Sequence, residues 1–87
     1  MAREQFQTLS EPMYYILLAL VQECCGVDIM ACVKEISQGR VIVGPGTLYA
    51  MLPKFEGSGI IRKTRQKGRQ KWYVITEKGR WMLEEEY

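Results

Sequence analysis

The chain has no histidine among its 87 residues. It therefore lacks the commonest general base and the commonest metal ligand. No hydroxyl or thiol has an imidazole to activate it, and no paired acids stand on a recognisable framework, so catalytic residues are not expected and neither is an enzyme. Cysteine is scarce: Cys24, Cys25 and Cys32. An odd count with two neighbours argues against a disulfide framework, and adjacent cysteines are not a chelating spacing. Reduced thiols in a cytoplasmic protein fit best, with no metal and no cofactor. Cys32 falls on an apolar stripe and reads as a small core residue, with redox sensing as the alternative. Long apolar runs are also missing. The longest, Pro12 to Val21, is about half of what a membrane span needs, and no signal-peptide pattern is present.

What is there is a globular composition, 47% hydrophobic. The length suits one domain over residues 1–87, near the lower limit for a self-sufficient core, a size at which chains often borrow core from a partner subunit. The net charge of +2 conceals an uneven distribution. Six of the 12 basic residues lie between Arg62 and Lys71 with no acid among them, while Glu84-Glu85-Glu86 stands apart. One basic stripe on a near-neutral chain suits a phosphate backbone.

Residues 1–10 read as a loose arm that orders only against a partner. Ser10-Glu11-Pro12 has the chemistry of a helix start, and that helix is expected to reach about Glu23. Met13, Ile16, Leu17, Leu20 and Val21 form one stripe; Tyr14, Tyr15, Leu18 and Ala19 cover most of the rest. A helix that is apolar all round needs burial all round. One face is expected on the domain's own core and Tyr14, Tyr15 and Leu18 on a second copy. The alternative is a single-chain core helix with exposed tyrosines. Cys24-Cys25-Gly26 reads as a turn. A second helix, Val27 to Ser37, carries Ile29, Cys32, Val33 and Ile36 at i, i+3, i+4, i+7. Val41-Ile42-Val43 reads as a short strand. A third helix starts at Gly44-Pro45-Gly46-Thr47 and ends near Gly57, with Leu48, Met51, Leu52 and Phe55 inward. Strands at Ile60–Arg65 and Gln70–Ile75 flank a turn at Gln66-Lys67-Gly68-Arg69, and Thr76 caps a last helix from Glu77. The expected fold is mainly α with a small β-hairpin. It is a winged helix-turn-helix in the order helix, helix, short strand, helix, hairpin wing, helix.

With Leu48 inward, a step of about 100° per residue turns Gly46, Ala50, Pro53 and Gly57 outward. Tyr49 lies on one flank, Thr47 and Lys54 on the other. Such a bare face approaches a groove floor closely but offers few donors for base readout. Pro45, Gly46, Thr47, Tyr49, Ala50 and Lys54 are the candidate DNA contacts on this helix. Thr47 and the free N–H groups of the helix start would hold a phosphate, and the Tyr49 hydroxyl would reach phosphate or a base edge. The competing reading makes Thr47 a helix cap and Tyr49 a core packer. Pro53 should kink or loosen the helix between Tyr49 and Lys54. Arg62, Lys63, Arg65, Lys67, Arg69 and Lys71 are the candidate phosphate contacts of the wing, against plain surface solvation. Trp72 and Tyr73 alternate, so one faces the core, and both read as packing rather than base stacking.

Glu11 to Leu20, Gly26-Val27-Asp28-Ile29-Met30, Gly39-Arg40-Val41, Gly44-Pro45-Gly46-Thr47-Leu48-Tyr49, Gly59-Ile60-Ile61, Lys71-Trp72-Tyr73, Ile75-Thr76 and Gly79-Arg80 together resemble the PadR-like family of transcriptional regulators. The specific part is Gly-Thr-Leu-Tyr followed by a basic hairpin ending in Tyr-x-Ile-Thr. The resemblance implies a homodimeric, usually repressing protein on double-stranded DNA, with the first and C-terminal helices at the dimer interface. Residues 77–87 would then start the dimerisation helix, with Trp81 at the interface or lining an effector cavity. It also implies a small aromatic or drug-like effector. The two-fold symmetry makes the operator roughly palindromic. Three departures stand out: Cys25-Gly26 replaces a His-Gly pair, Pro53 replaces a basic residue, and the helix that the family usually continues stops at Tyr87. A winged-helix protein-interaction module and a drug-binding dimer remain as alternatives.

Overall fold

The structure, a computed structural model, describes residues 10–86, the last of them by its backbone alone. Nearly all of the expected arm, residues 1–9, lies outside the described residues. The elements run α1 (Glu11–Ala19), β1 (Cys24–Cys25), α2 (Gly26–Ile36), α3 (Pro45–Gly57), β2 (Ile61–Lys67), β3 (Gln70–Ile75) and α4 (Glu77–Glu86). Four helices and a three-stranded antiparallel sheet of order β1-β3-β2 make a winged helix-turn-helix.

The start of α1 follows its sequence. The Ser10 hydroxyl accepts the Met13 N–H at 3.4 Å, and Glu11 sits in the first turn. The end falls earlier than the expected Glu23. Leu20 is the C-cap, and its carbonyl accepts the Ile75 N–H of β3 at 2.8 Å. A carbonyl committed to a strand cannot serve a further helical turn, so the chain leaves the helix axis there.

The short strand is the main correction. Val41-Ile42-Val43 forms no strand with any described residue; Cys24-Cys25, read as a turn, is the third strand. Cys24 pairs with Tyr73 and Cys25 with Trp72. Val41 and Val43 are buried, as their type suggests, and Ile42 points out. The backbone of Val41 is satisfied by a side chain instead of a strand. Its N–H donates to the Ser37 hydroxyl at 3.0 Å, and that hydroxyl donates to the Val41 carbonyl at 3.1 Å. A buried backbone needs partners, and a serine supplies both here. Arg40, just before, pairs with Glu11 and ties this loop to the start of α1.

The core draws on every helix and on the base of the hairpin. Ile16, Leu17, Leu20, Ile29, Val33, Leu48, Leu52, Phe55, Ile60 and Ile61 are almost wholly buried. Ile36, expected inward at the end of α2, is 41% exposed. The all-round apolar α1 finds much of its cover within one chain: α2 and α4 pack on it, and Tyr14, Tyr15 and Leu18 are half-buried against the core.

At the base of the wing, Thr76 joins three elements. Its hydroxyl proton lies between the Gly59 and Ile60 carbonyls at 2.6 and 2.9 Å, and its oxygen accepts the Gly79 N–H at 3.2 Å, capping α4. The helix then crosses the sheet so closely that a Cβ on Gly79 would lie 2.4 Å from the Ile60 carbonyl oxygen and 2.5 Å from Ile75 Cγ1. One of those atoms is backbone and cannot step aside. Gly79→Ala should therefore destabilise the domain by about 2 kcal/mol, lowering its melting temperature by roughly 10 °C. Thermal denaturation followed by circular dichroism measures this, and an unchanged midpoint would contradict the close crossing.

Candidate nucleic-acid interface

The exposed face of α3 is the one its spacing dictates. Leu48, Leu52 and Phe55 are buried and Met51 half-buried, while Pro45, Gly46, Thr47, Tyr49, Ala50, Pro53, Lys54 and Gly57 are exposed. The N-cap is Gly44, which has no side chain to cap with, so the competing reading of Thr47 as the cap does not hold. The helix runs unbroken from Pro45 to Gly57 through Pro53, so the expected loosening is not a break in the helix. Tyr49 is 51% exposed, and its other side rests on the first turn of α2.

The wing owes its charge pattern to one irregularity. Lys63 pairs with Tyr73 and Arg65 with Trp72, which leaves Thr64 as an extra residue. Because side chains alternate along a strand, one inserted residue moves everything after it to the opposite face. Lys63 thus shares the face of Tyr73, while Arg62 and Arg65 share that of Val74 and Trp72. Arg65 lies over the Trp72 ring, 4.1 Å from its centroid, so the guanidinium stacks on the indole while the indole stays half-buried. Tyr73 is the core member of the alternating pair. Burial pushes its phenol up first, helped by Glu56 and then by Tyr49. Thr64 itself bonds to Glu23 in the loop before β1, which pins the bulge to the helical layer. All six wing cations are exposed, and the hairpin turns tightly through Gly68 and Arg69.

Between α3 and the wing lies an open cleft of about 450 Å³. Its walls are Tyr49, Leu52 and Pro53 on α3, Cys25, Gly26 and Val27 at the junction of β1 and α2, and Arg69, Gln70, Lys71 and Tyr73 on the hairpin. Two cations and no carboxylate line it. The structure thus brings Tyr49 together with Arg69 and Lys71. Lys63 pairs with Tyr73 across the hairpin, Arg62, Arg65 and Lys67 fall on the other face, and none of these four is in the cleft lining. Gly26, read as the end of a turn, and Val27, read as the start of the second helix, were not anticipated as site residues. Val27 is 59% exposed despite its apolar side chain. Nothing in their local pattern marks them, because their neighbours come from α3 and β3. Of the expected interface residues, Tyr14, Tyr15 and Leu18 lie together on α1, where the two tyrosine rings meet edge to face at 5.6 Å; Trp81, on α4, is 60% exposed.

With this geometry in place, the comparisons with known proteins are consistent with one another. Residues 16–85 match the model of a family described as "Transcriptional regulator PadR-like family". An uncharacterized 37.1 kDa protein in transposon Tn4556 of Streptomyces fradiae is 38% identical over 61 residues, covering 70% of this chain. The chain spans only 17% of that relative's length. A PadR-like transcription factor from Bacteroides fragilis superposes with a TM-score of 0.67 at 27% identity, over 83% of this chain and 72% of that one. A transcriptional regulator from Clostridium thermocellum gives 0.72 at 20% identity, over 86% and 78%. RosR of H. salinarum gives 0.71 at 23% identity, over 95% and 69%; these last two likenesses concern the fold.

Of the three cysteines, Cys25 lines the cleft and Cys24 and Cys32 do not. Cys25 is buried and its thiol donates to Asp28 at 3.3 Å. Cys24 is pushed up to about 11, by burial first and then by Asp28 and the two other cysteines. Burial likewise raises Cys32, with Glu35 adding to it. A thiolate is the reactive form, so raised values oppose ready oxidation. Among the described residues no cluster of cysteines and carboxylates could hold a metal. Iodoacetamide at pH 8 should label Cys24 much more slowly in the folded chain than in denaturant, measured by mass spectrometry. The folded value lies above the unfolded one, so the associated stability is present below pH 9 and is lost as pH rises toward 11. Rapid labelling of the native chain at pH 8 would overturn this.

Proposed function

The chain belongs to the PadR-like family of transcriptional regulators, and from that premise we propose that it is a sequence-specific regulator of double-stranded DNA, working in the cytoplasm as a homodimeric repressor that a small aromatic effector releases. DNA binding is what the family implies; the supporting observation is the cleft, where Tyr49 and Pro53 of α3 face Arg69 and Lys71 of the wing with no carboxylate in its lining. A duplex carries phosphates on both sides of a groove. A helix and a ribbon set at a fixed angle can meet the groove and its flanking backbone together.

In this reading the roles divide. Pro45, Gly46 and Ala50 keep the helix slim enough to lie close to the groove floor. Thr47 and the uncapped N–H groups of the first turn hold a phosphate. Tyr49 offers its hydroxyl to a phosphate or base edge, and Lys54 adds charge. Arg62, Lys63, Arg65, Lys67, Arg69 and Lys71 neutralise backbone phosphates and supply most of the affinity. With few donors on α3, much of the specificity comes from the shape of the DNA. The dimer rests on Tyr14, Tyr15 and Leu18 of α1 and on Trp81 of α4, with residues 77–87 as the start of the longer dimerisation helix. No described helix is long and apolar enough to cross a membrane.

A mobility-shift assay on the DNA upstream of the protein's own gene tests binding. Affinity should fall steeply with salt, and Arg69→Ala and Lys71→Ala should each reduce the slope of log affinity against log salt by about 0.9. A slope that ignores these substitutions would remove the wing from the interface. Preference for an acidic protein over the DNA would favour the interaction-module reading. For the dimer, sedimentation should give twice the chain mass at micromolar concentration, and Trp81→Ala should weaken association by at least tenfold, as loss of a central aromatic anchor does. A monomer under those conditions would rule out this interface.

A further inference from the structure

We propose that Gly26, the first residue of α2, is the positioning residue that sets the orientation of Tyr49 on the exposed side of α3. This rests on the DNA-binding reading above and adds a residue to it from a different helix. A Cβ built on Gly26 would lie 2.7 Å from the Tyr49 hydroxyl oxygen, 3.0 Å from Cε1 and 3.2 Å from Cζ. The phenol ring thus lies directly over the bare backbone of the first turn of α2. Gly44, Gly46 and Gly57, at the two ends of α3, contrast with it: a Cβ on any of them would meet nothing within 4 Å.

Backbone geometry does not explain this glycine. The positive-φ glycines are Gly39, Gly59 and Gly68, and Gly26 is not one of them. Without that requirement glycine brings only its greater backbone freedom, a cost of about 0.5–1 kcal/mol against alanine inside a helix. What glycine gives here is space. Gly26 is buried, while Tyr49 as a whole residue stays 51% exposed, so the phenol is seated on one side without being enclosed. The seat is itself anchored, because Cys25, the residue before it, pairs with Trp72 of β3. The direction in which Tyr49 points is thereby tied to the strand that carries Lys71. Tyr49 and the wing are set by one backbone arrangement.

The three atoms nearest to an added Cβ all belong to the far end of the Tyr49 side chain. A methyl group at position 26 therefore displaces the phenol and leaves the fold standing. Four proteins test this: the native chain, Gly26→Ala, Tyr49→Phe and the double variant. On the upstream DNA, Gly26→Ala should lower affinity about tenfold, the scale of one lost contact. The double variant should lose no more than Tyr49→Phe alone, because both changes remove the same oriented hydroxyl. Without DNA, the Gly26→Ala change should be more favourable to the melting temperature in the Tyr49→Phe background, where the worst contact is gone. Native affinity for Gly26→Ala, a loss that multiplies in the double variant, or identical melting effects in the two backgrounds would each overturn the proposal. A native chain that binds no DNA, with the melting effects as expected, would overturn the DNA-binding reading beneath it and leave the contact itself established.

Discussion

The hydrogen bond from the Ile75 N–H to the Leu20 carbonyl, 2.8 Å long, is the constraint on which the interface depends. It ends α1, and the chain that leaves the helix there continues as Cys24-Cys25 along β3. Two consequences follow from this one junction. The wing acquires a third strand and is fixed to the helical layer, where a lone two-stranded ribbon would be marginal in water. The first turn of α2 is placed at the end of that strand, which puts Gly26 beneath Tyr49. Thr64 bonding to Glu23 and Thr76 bonding to the Gly59 and Ile60 carbonyls hold the same base from the other side. The distance between α3 and the hairpin, and hence the width of the cleft, is a property of backbone pairing. Such a setting costs no side-chain ordering when a partner arrives.

The wing shows how a sequence of alternating charge becomes two surfaces. Without the extra residue at Thr64, Arg65 would share a face with Lys63, and Trp72 would have no cation above it. The bulge moves Arg65 to the face of Trp72 and leaves Lys63 on the face of Tyr73. Stacking on Trp72 holds one guanidinium in place without an anionic partner among the described residues. Arg40 with Glu11 is the contrary case, an exposed ion pair whose cation is already matched. Fixing the tail of a cation while leaving its charge unpaired lowers the entropy lost when a phosphate binds.

Periodicity located α2 and α3, while cap, turn and β-propensity signals located α1, α4 and both wing strands. The inward set Leu48, Leu52 and Phe55, the cap at Thr76 and the tight turn at Gly68 were all readable in the same way. The short strand was not. Val41-Ile42-Val43 has the β-branched composition of a strand, yet two hydrogen bonds to the Ser37 hydroxyl replace a neighbour there. Cys24-Cys25 has no strand signal, and it becomes one because β3 presents a free edge beside it. Both outcomes depend on contacts distant in sequence. Gly26 was hidden for the same reason: its partner is 23 residues away in the chain, and local sequence gives no hint of a ring laid across it.

The reason to propose a dimer also shifts. An apolar α1 on so short a chain suggests a second copy as a source of core. A single chain already buries Ile16, Leu17, Ala19 and Leu20 and covers part of Tyr14, Tyr15 and Leu18, so stability asks less of a partner than the composition implied. The exposed Trp81 remains, on α4, which packs against α1. The stronger argument comes from the interface. Charge on the wing is indifferent to sequence, and the outward face of α3 is mostly glycine, alanine and proline, with Tyr49, Thr47 and Lys54 as its donors. Each discriminated base pair contributes about 1–3 kcal/mol, and the energies add when the positions are well separated. One chain with so few donors discriminates weakly; two chains on a palindrome double the readout and its free energy. In this reading the proposed dimer, through Tyr14, Tyr15, Leu18 and Trp81, serves specificity first.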